Sequence, residues 1–250
     1  MSRASFRFTT TIREMAVPVE VREHKGGSTE LKIVWALAQF GCLVYLSLLV
    51  FRFGDQLLGT QLASTKGLES ASLEVRILVW GLLLIRTVSQ TIWGTIFVPY
   101  KISPSLSIGI AAFNGICDSL CVLGALYNRR EIDPLKDSLT FLLFMFGILL
   151  ERVAEFQRLA FKSRPENNNQ MHIQGLYAMC VHPNYLGYII WRIALVSVSH
   201  LWALQLIPAF VLYDFVRGDI PAQKERNTRK YGESFKRYWD STPKLLPGIY

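Results

Sequence analysis

Little in this sequence points to metal, disulfide or soluble nucleic-acid chemistry. Its four cysteines, Cys42, Cys117, Cys121 and Cys180, form no ligand pattern and no disulfide framework. Cys117 and Cys121 lie one helical turn apart in an apolar run, where a small polarizable side chain packs. No metal is expected. Acidic residues are in short supply, 19 against 27 lysines and arginines, for a formal charge of +8. No basic run alternates with aromatics in a soluble segment, so nucleic acid is not the partner that this charge implies. No signal peptide is visible at the start. Arg3, Arg7, Arg13 and Arg22 mix there with Glu14, Glu20, Glu23 and Glu30. That is too acidic for a transit peptide and reads as a flexible cytosolic tail over residues 1–31.

Long apolar runs are what the chain has instead. Half of its residues are apolar (51%), and mean hydropathy is +0.26. These values predict an all-α, polytopic membrane protein of about six transmembrane helices with a basic cytosolic C-terminal tail. The first span, Ile33 to Phe51, carries no charge. The second, Val75 to Tyr100, holds Arg76 and Arg86; Arg76 can snorkel, while Arg86 is deep enough to need a partner or a wet cavity. The third, Leu106 to Tyr127, contains Asn114 and Asp118, the aspartate either pairing with an arginine such as Arg86 or lining a site. Leu139–Leu150 continues into a charged segment whose Glu151, Glu155, Arg158 and Lys162 share one helical face. Taken alone, that face reads as a solvated stripe of ion pairs. Beyond Pro183, about thirty apolar residues fit a hairpin turning near Ser197–Leu201. Residues 32–137 then form an N-terminal, substrate-side group of helices, and 138–250 a C-terminal, cofactor-side domain. With a cytosolic N-terminus, Lys101, the Arg158/Lys162/Arg164 segment and the tail obey the positive-inside rule, and both termini are cytosolic.

The stretch Gly175 to Gly187 concentrates polar groups at the mouth of an apolar run. Pro183 suits the first position of a helix, whose unpaired amides and dipole attract phosphate or carboxylate. Tyr177, His182, Asn184 and Tyr185 ring that start, and Gly187 leaves its backbone bare for a flat group. The tail adds Lys224, Arg226, Arg229, Lys230, Lys236 and Arg237 among Tyr231, Phe235, Tyr238 and Trp239, a composition suited to folding over the membrane surface and closing a site.

Four blocks carry a resemblance. Ala154-Glu155-Phe156-Gln157-Arg158 with Phe161-Lys162 and Asn168, Gly175-Leu176-Tyr177 with His182-Pro183-Asn184-Tyr185-Leu186-Gly187, Ile220-Pro221 with Arg226, and Tyr231-Gly232 with Tyr238, Thr242 and Leu246-Pro247 resemble the steroid 5-alpha-reductase-like membrane proteins. The resemblance covers residues 150 to 250, with a weaker likeness from Ile85-Arg86-Thr87 through Tyr100. It implies a multi-helix membrane enzyme, an oxidoreductase of lipid metabolism in the endoplasmic reticulum. Such an enzyme would transfer hydride from NADPH to a carbon–carbon double bond of a lipid or steroid-like substrate. Carried over by position, Glu155, Lys162, Asn168, Tyr177, His182, Asn184, Tyr185, Arg226 and Tyr231 bind the cofactor. Asp118, Tyr188 and His182 are the candidate catalytic groups, with Tyr100 and Glu151 as further candidates for the acid.

Two positions depart from that family. Val181 and Tyr188 stand where it has arginine and glutamate, leaving Arg192, Lys162 or Arg226 to supply the missing cation. Gly175, Tyr177, His182, Pro183, Tyr185, Gly187 and the aromatic Tyr188 are also similar to a pattern of the isoprenylcysteine carboxyl and phospholipid methyltransferases, which use S-adenosylmethionine. Those enzymes have paired glutamates in the tail, where this chain has Lys224-Glu225. A degenerate, non-catalytic member with a structural or lipid-binding role is the third reading.

Overall fold

The computed structural model describes residues 29–53, 71–98 and 103–246. Tyr100, Lys101, Pro99, Pro247, most of the 1–31 tail and most of the 54–72 loop lie outside them. Among the described residues the protein is all-α. Helix α1 (Thr29–Leu48) runs on through a wider π turn, Leu49–Phe53, and α2 (Leu73–Ile92) does the same through Trp93–Phe97. Helices α3 (Pro104–Asn128) and α4 (Pro134–Lys162) follow. Both begin on a capped proline. Ser103 accepts from the Leu106 amide at 3.2 Å and Asp133 from the Lys136 amide at 3.1 Å, each with proline next in line. A short turn (α5, Leu176–Met179) precedes α6 (Pro183–Ser197). Then α7 (Leu206–Asp214) passes through a π turn, Phe215–Asp219, into α8 (Ile220–Tyr231) without a break, and α9 (Glu233–Ser241) is the last helix among the described residues.

Three helical stretches, Thr29–Phe53, Leu73–Phe97 and Pro104–Asn128, are long and apolar enough to cross a bilayer. The protein is an integral membrane protein. Large apolar side chains such as Leu37, Val44, Ile116, Leu120, Leu142 and Leu149 point outward, as lipid contact requires. The core beneath them is mainly aliphatic, with Leu46, Val75, Leu82, Leu83, Val122 and Leu195 packed around the aromatic pair Phe144 and Trp191.

Side-chain contacts fix the direction of each helix. Along α1 and α2, Trp35 meets Gln90, Gln39 meets Arg86, and Ser47 meets Trp80, so the two are antiparallel. Arg86 meets Asp118 and the Ser72 amide meets the Arg130 carbonyl, so α3 reverses again. Helix α6 runs against α4: Asn184 touches Glu155, Gly187 faces Glu151, and Gly147 faces Trp191. One end of the bundle therefore collects the starts of α1, α3 and α6, the ends of α2, α4 and α8, and α9. The opposite end is tied by Arg129, which donates to Val198 O at 3.0 Å and to Asp137 at 2.5 Å.

The α4–α6 crossing corrects the reading of Gly187. A Cβ there would lie 2.5 Å from the Glu151 amide nitrogen and 2.7 Å from the Gly147 carbonyl oxygen. Its bare backbone is spent on a helix partner, not on a flat ligand. Gly147 answers it from α4, against the backbone of Trp191.

The expected hairpin is present, turning after Ser197 through His200. The stripe on α4 is solvated only at its outer end, where Lys162 is exposed and Arg158 half-buried. Glu151 and Glu155 are 5% and 2% exposed, because α6 packs over that part of the face. Asp118 is paired, and twice over, with Arg86 and Arg192.

Candidate functional site

Four segments meet at the α6 start. Glu155 is the centre of the meeting. Arg158 donates to its Oε2 at 3.0 and 2.5 Å, and Asn184 Nδ2 donates to its Oε1 at 3.0 Å. One helical turn deeper, Glu151 accepts from Trp191 Nε1 at 2.7 Å and pairs with Arg152. Gln157 accepts from the Leu176 amide at 3.0 Å. Gly175, with φ of 61°, sits against that amide group, where a Cβ would come within 2.6 Å of Gln157 Oε1.

The tail closes over this end. The Val181 amide donates to Pro243 O at 2.8 Å and the His182 amide to Lys244 O at 3.0 Å. Tyr238 OH donates to Tyr177 O at 2.5 Å. These bonds modify the anion-site expectation: two amides just ahead of the helix are already held by the protein's own carbonyls. What stays open is a side chain. His182 is 4% exposed, and its Nε2 has no hydrogen-bond partner among the described residues. The ring stacks on Tyr185 at 5.3 Å and meets Trp239 edge-on at 6.2 Å. Burial, helped by the charges of Arg226 and Lys244, pushes its pKa down from 6.5 to about 4, so it is neutral at pH 7. Cys180, nearby, is pushed up to about 11 by burial.

Tyr185 in turn stacks on Phe215 at 4.2 Å, and its hydroxyl accepts from Gln223. Tyr188 meets the edge of Phe215 at 5.6 Å. An aromatic column thus runs from His182 through Tyr185 and Phe215 to Tyr188. Lys162 bonds to Gln170 O and to Tyr231 OH, the latter at 3.1 Å. Tyr177 is buried, and burial raises its pKa.

Of the residues that the resemblance marks for a cofactor, Glu155 and Asn184 are joined directly, as are Lys162 and Tyr231. Tyr177, His182, Tyr185 and Arg226 line the same end. Asn168 is exposed in the loop after α4, beyond a short turn at Pro165–Asn167. Asp118 and Tyr188 form a second, deeper group through Arg192, which donates to Tyr188 OH and Asp118 Oδ1 at 2.9 Å each. Arg192 is therefore not the replacement cation for position 181; it is committed inside the bundle. Val181 itself packs with Ile220, Phe235 and Trp239, so that position belongs to an apolar cluster. Phe215, Gln223 and Gly147 escaped notice. Their signal is weak in sequence, since each is an ordinary residue within an apolar or mixed run.

Residues 116–242 match a family described as proteins of unknown function (DUF1295). The chain belongs to the DUF1295 family. It is also 34% identical, over 92 residues, to a probable O-methyltransferase, ustE, of Ustilaginoidea virens. That stretch is 36% of this chain and 32% of the relative, so the chain spans about a third of the length of the protein it matches. Together these place this DUF1295 protein in the broad superfamily of steroid-reductase-like and methyltransferase-like membrane proteins.

The likeness to a methyltransferase overturns the expectation of an NADPH-dependent oxidoreductase acting on a double bond. The Gly175–Gly187 block behind that expectation is similar to the patterns of both groups, while the Glu155–Gln157 block resembles the reductase-like pattern alone. The position that separates them is 188, where an aromatic follows the methyltransferase pattern; the buried Val181 departs from both, since each has arginine there.

Proposed function

We propose that this protein is a membrane methyltransferase that moves a methyl group from S-adenosylmethionine to an oxygen of a hydrophobic acceptor. The likeness to the probable O-methyltransferase carries the reading. The side chains at the α6 start fit such a cofactor in kind. Glu155 is a buried carboxylate for an amine or ribose hydroxyls, and His182 offers an unpartnered buried nitrogen. The half-buried column of Tyr185, Phe215 and Tyr188 supplies aromatic surface of the kind that adenine and a sulfonium cation pack against. Bound there, the cofactor supplies an activated methyl group. The protein's part is to orient it, exclude water by the closed tail and admit the acceptor from the bilayer.

In this reading α1, α2, α3, α4, α6 and the α7–α8 rod make six crossings, and the site end with both termini faces the cytosol. The membrane is that of the endoplasmic reticulum and the acceptor is a lipid or steroid-like molecule. Glu155, Lys162, Tyr177, His182, Asn184, Tyr185, Arg226 and Tyr231 serve the cofactor, with Asn168 at the rim.

The test is thermal unfolding of the purified protein in detergent. S-adenosylmethionine or S-adenosylhomocysteine at a hundredfold excess over Kd should raise the midpoint by about 5–10 °C. Asn184→Ala should weaken that binding about tenfold by loosening Glu155. No shift with either compound would refute the proposal.

A further inference from the structure

Away from that mouth, the helices enclose a charge imbalance. Arg86 and Arg192, both 0% exposed, share the single carboxylate of Asp118, also 0% exposed. Two guanidinium cations against one carboxylate leave one positive charge inside three bilayer-spanning helices and α6. Glu151 does not offset it, being paired with Arg152. Neutral groups fill the remaining contacts: Gln39 Oε1 accepts from Arg86 at 3.1 Å, Asn114 Oδ1 from Arg192, and Tyr188 OH from Arg192 at 2.9 Å.

Every polar atom left over here can donate. Among the described residues, Arg86 Nε, Arg192 Nε, Gln39 Nε2 and Gln90 Nε2 are buried without a partner and only donate, while the buried hydroxyls Thr87 Oγ1 and Ser89 Oγ can donate or accept. Hydrocarbon offers no water to satisfy them, and an ionised group in this position is costly unless it serves a ligand. A surplus cation and a surplus of donors ask for the same thing, an acceptor carrying negative charge. We propose that the Arg86–Asp118–Arg192 cluster binds the anionic group of an amphiphile, a carboxylate or phosphate monoester borne on an alkyl chain. The chain follows from the surroundings. The walls next to the cluster are apolar and lipid-facing at Val44, Ile116 and Leu120, and the α1–α3 seam beside it is lined by small residues, Gly115 lying against Cys42. A small hydrated anion has no polar path through such walls, whereas an amphiphile brings its own solvent.

This site does not depend on methyl transfer, and its test uses no methyl donor. The full-length protein in neutral phosphatidylcholine nanodiscs is heated with dodecanoate, dodecyl phosphate, methyl dodecanoate or dodecyltrimethylammonium. One or both anions should raise the midpoint by about 5–10 °C at a hundredfold excess over Kd, and the ester and the cation should not. Whichever anion acts names the headgroup. Arg86→Gln leaves Asp118 its Arg192 partner and removes the surplus charge, so the anion response should vanish. Should that variant fail to fold, Asp118→Asn gives the complementary readout. It raises the surplus, and its lost stability should be recovered by the anionic amphiphile and not by the ester. Equal shifts from ester and anion, or a response to none of the four, overturn the proposal. Equal shifts from acetate or inorganic phosphate at the same concentration overturn its amphiphilic part.

Discussion

Substituting Gly187 by alanine separates two uses of a bare backbone. An added Cβ would sit 2.5 Å from the Glu151 nitrogen and 2.7 Å from the Gly147 oxygen. Carbon in good contact needs about 3.5 Å, so α4 and α6 must part by about 1 Å at their crossing. Neither neighbour is a flexible side-chain tip; both are backbone. Overpacking of this kind costs about 3 kcal/mol. Alanine returns about 1 kcal/mol through its better helix propensity. The net loss of about 2 kcal/mol should lower the unfolding midpoint by about 4–8 °C. Because the Glu155–Asn184 bond lies one turn along the same crossing, the variant should also bind S-adenosylmethionine more weakly. The assay pairs thermal unfolding with cofactor titration. An unchanged midpoint with weakened binding would refute the packing argument and return Gly187 to the ligand.

Two further outcomes are expected. His182 has a folded pKa of about 4 against an ordinary 6.5, so the unfolded chain binds the extra proton first as pH falls. Its burial is therefore neutral to stability above pH 6.5 and costs about 2 kcal/mol by pH 5; His182→Asn should flatten that part of the midpoint-versus-pH curve. Tyr238→Phe removes the hydroxyl that holds Tyr177 O at 2.5 Å, and should cost about 1 kcal/mol and loosen cofactor retention, measured as a faster dissociation rate.

Much of the fold was legible in the sequence because its causes are local. Pro183 marks the first turn of α6, which begins there, and the uncharged Ile33–Phe51 run has one physical use. The partnership of Arg86 with Asp118 was legible as one of two options, since a buried charge in lipid must find its opposite. The second partner, Arg192, was not, because nothing in a linear pattern says which helix lies against α3. The same limit applies at the mouth. Asn184 stood out beside a helix start and Glu155 on a charged helix face, yet their contact depends on how closely α4 and α6 approach, which Gly147 and Gly187 decide together. Glu151 and Glu155 look like surface charges until α6 is laid over them. The chemistry was the least legible part, because the His182-Pro183 and Tyr185-Leu186-Gly187 block is similar to the patterns of two enzyme groups that use different cofactors.

The carbonyls of Pro243 and Lys244 reach back to the amides of Val181 and His182. During synthesis helices α1 to α9 have left the ribosome before those two residues do. The bundle therefore has time to insert and pack while its mouth is still unsealed. A premature stop shortly before residue 243 would yield a chain that reaches the membrane intact in its helices and lacks the clasp. Expression level would then be a poor guide to the damage done by such a lesion.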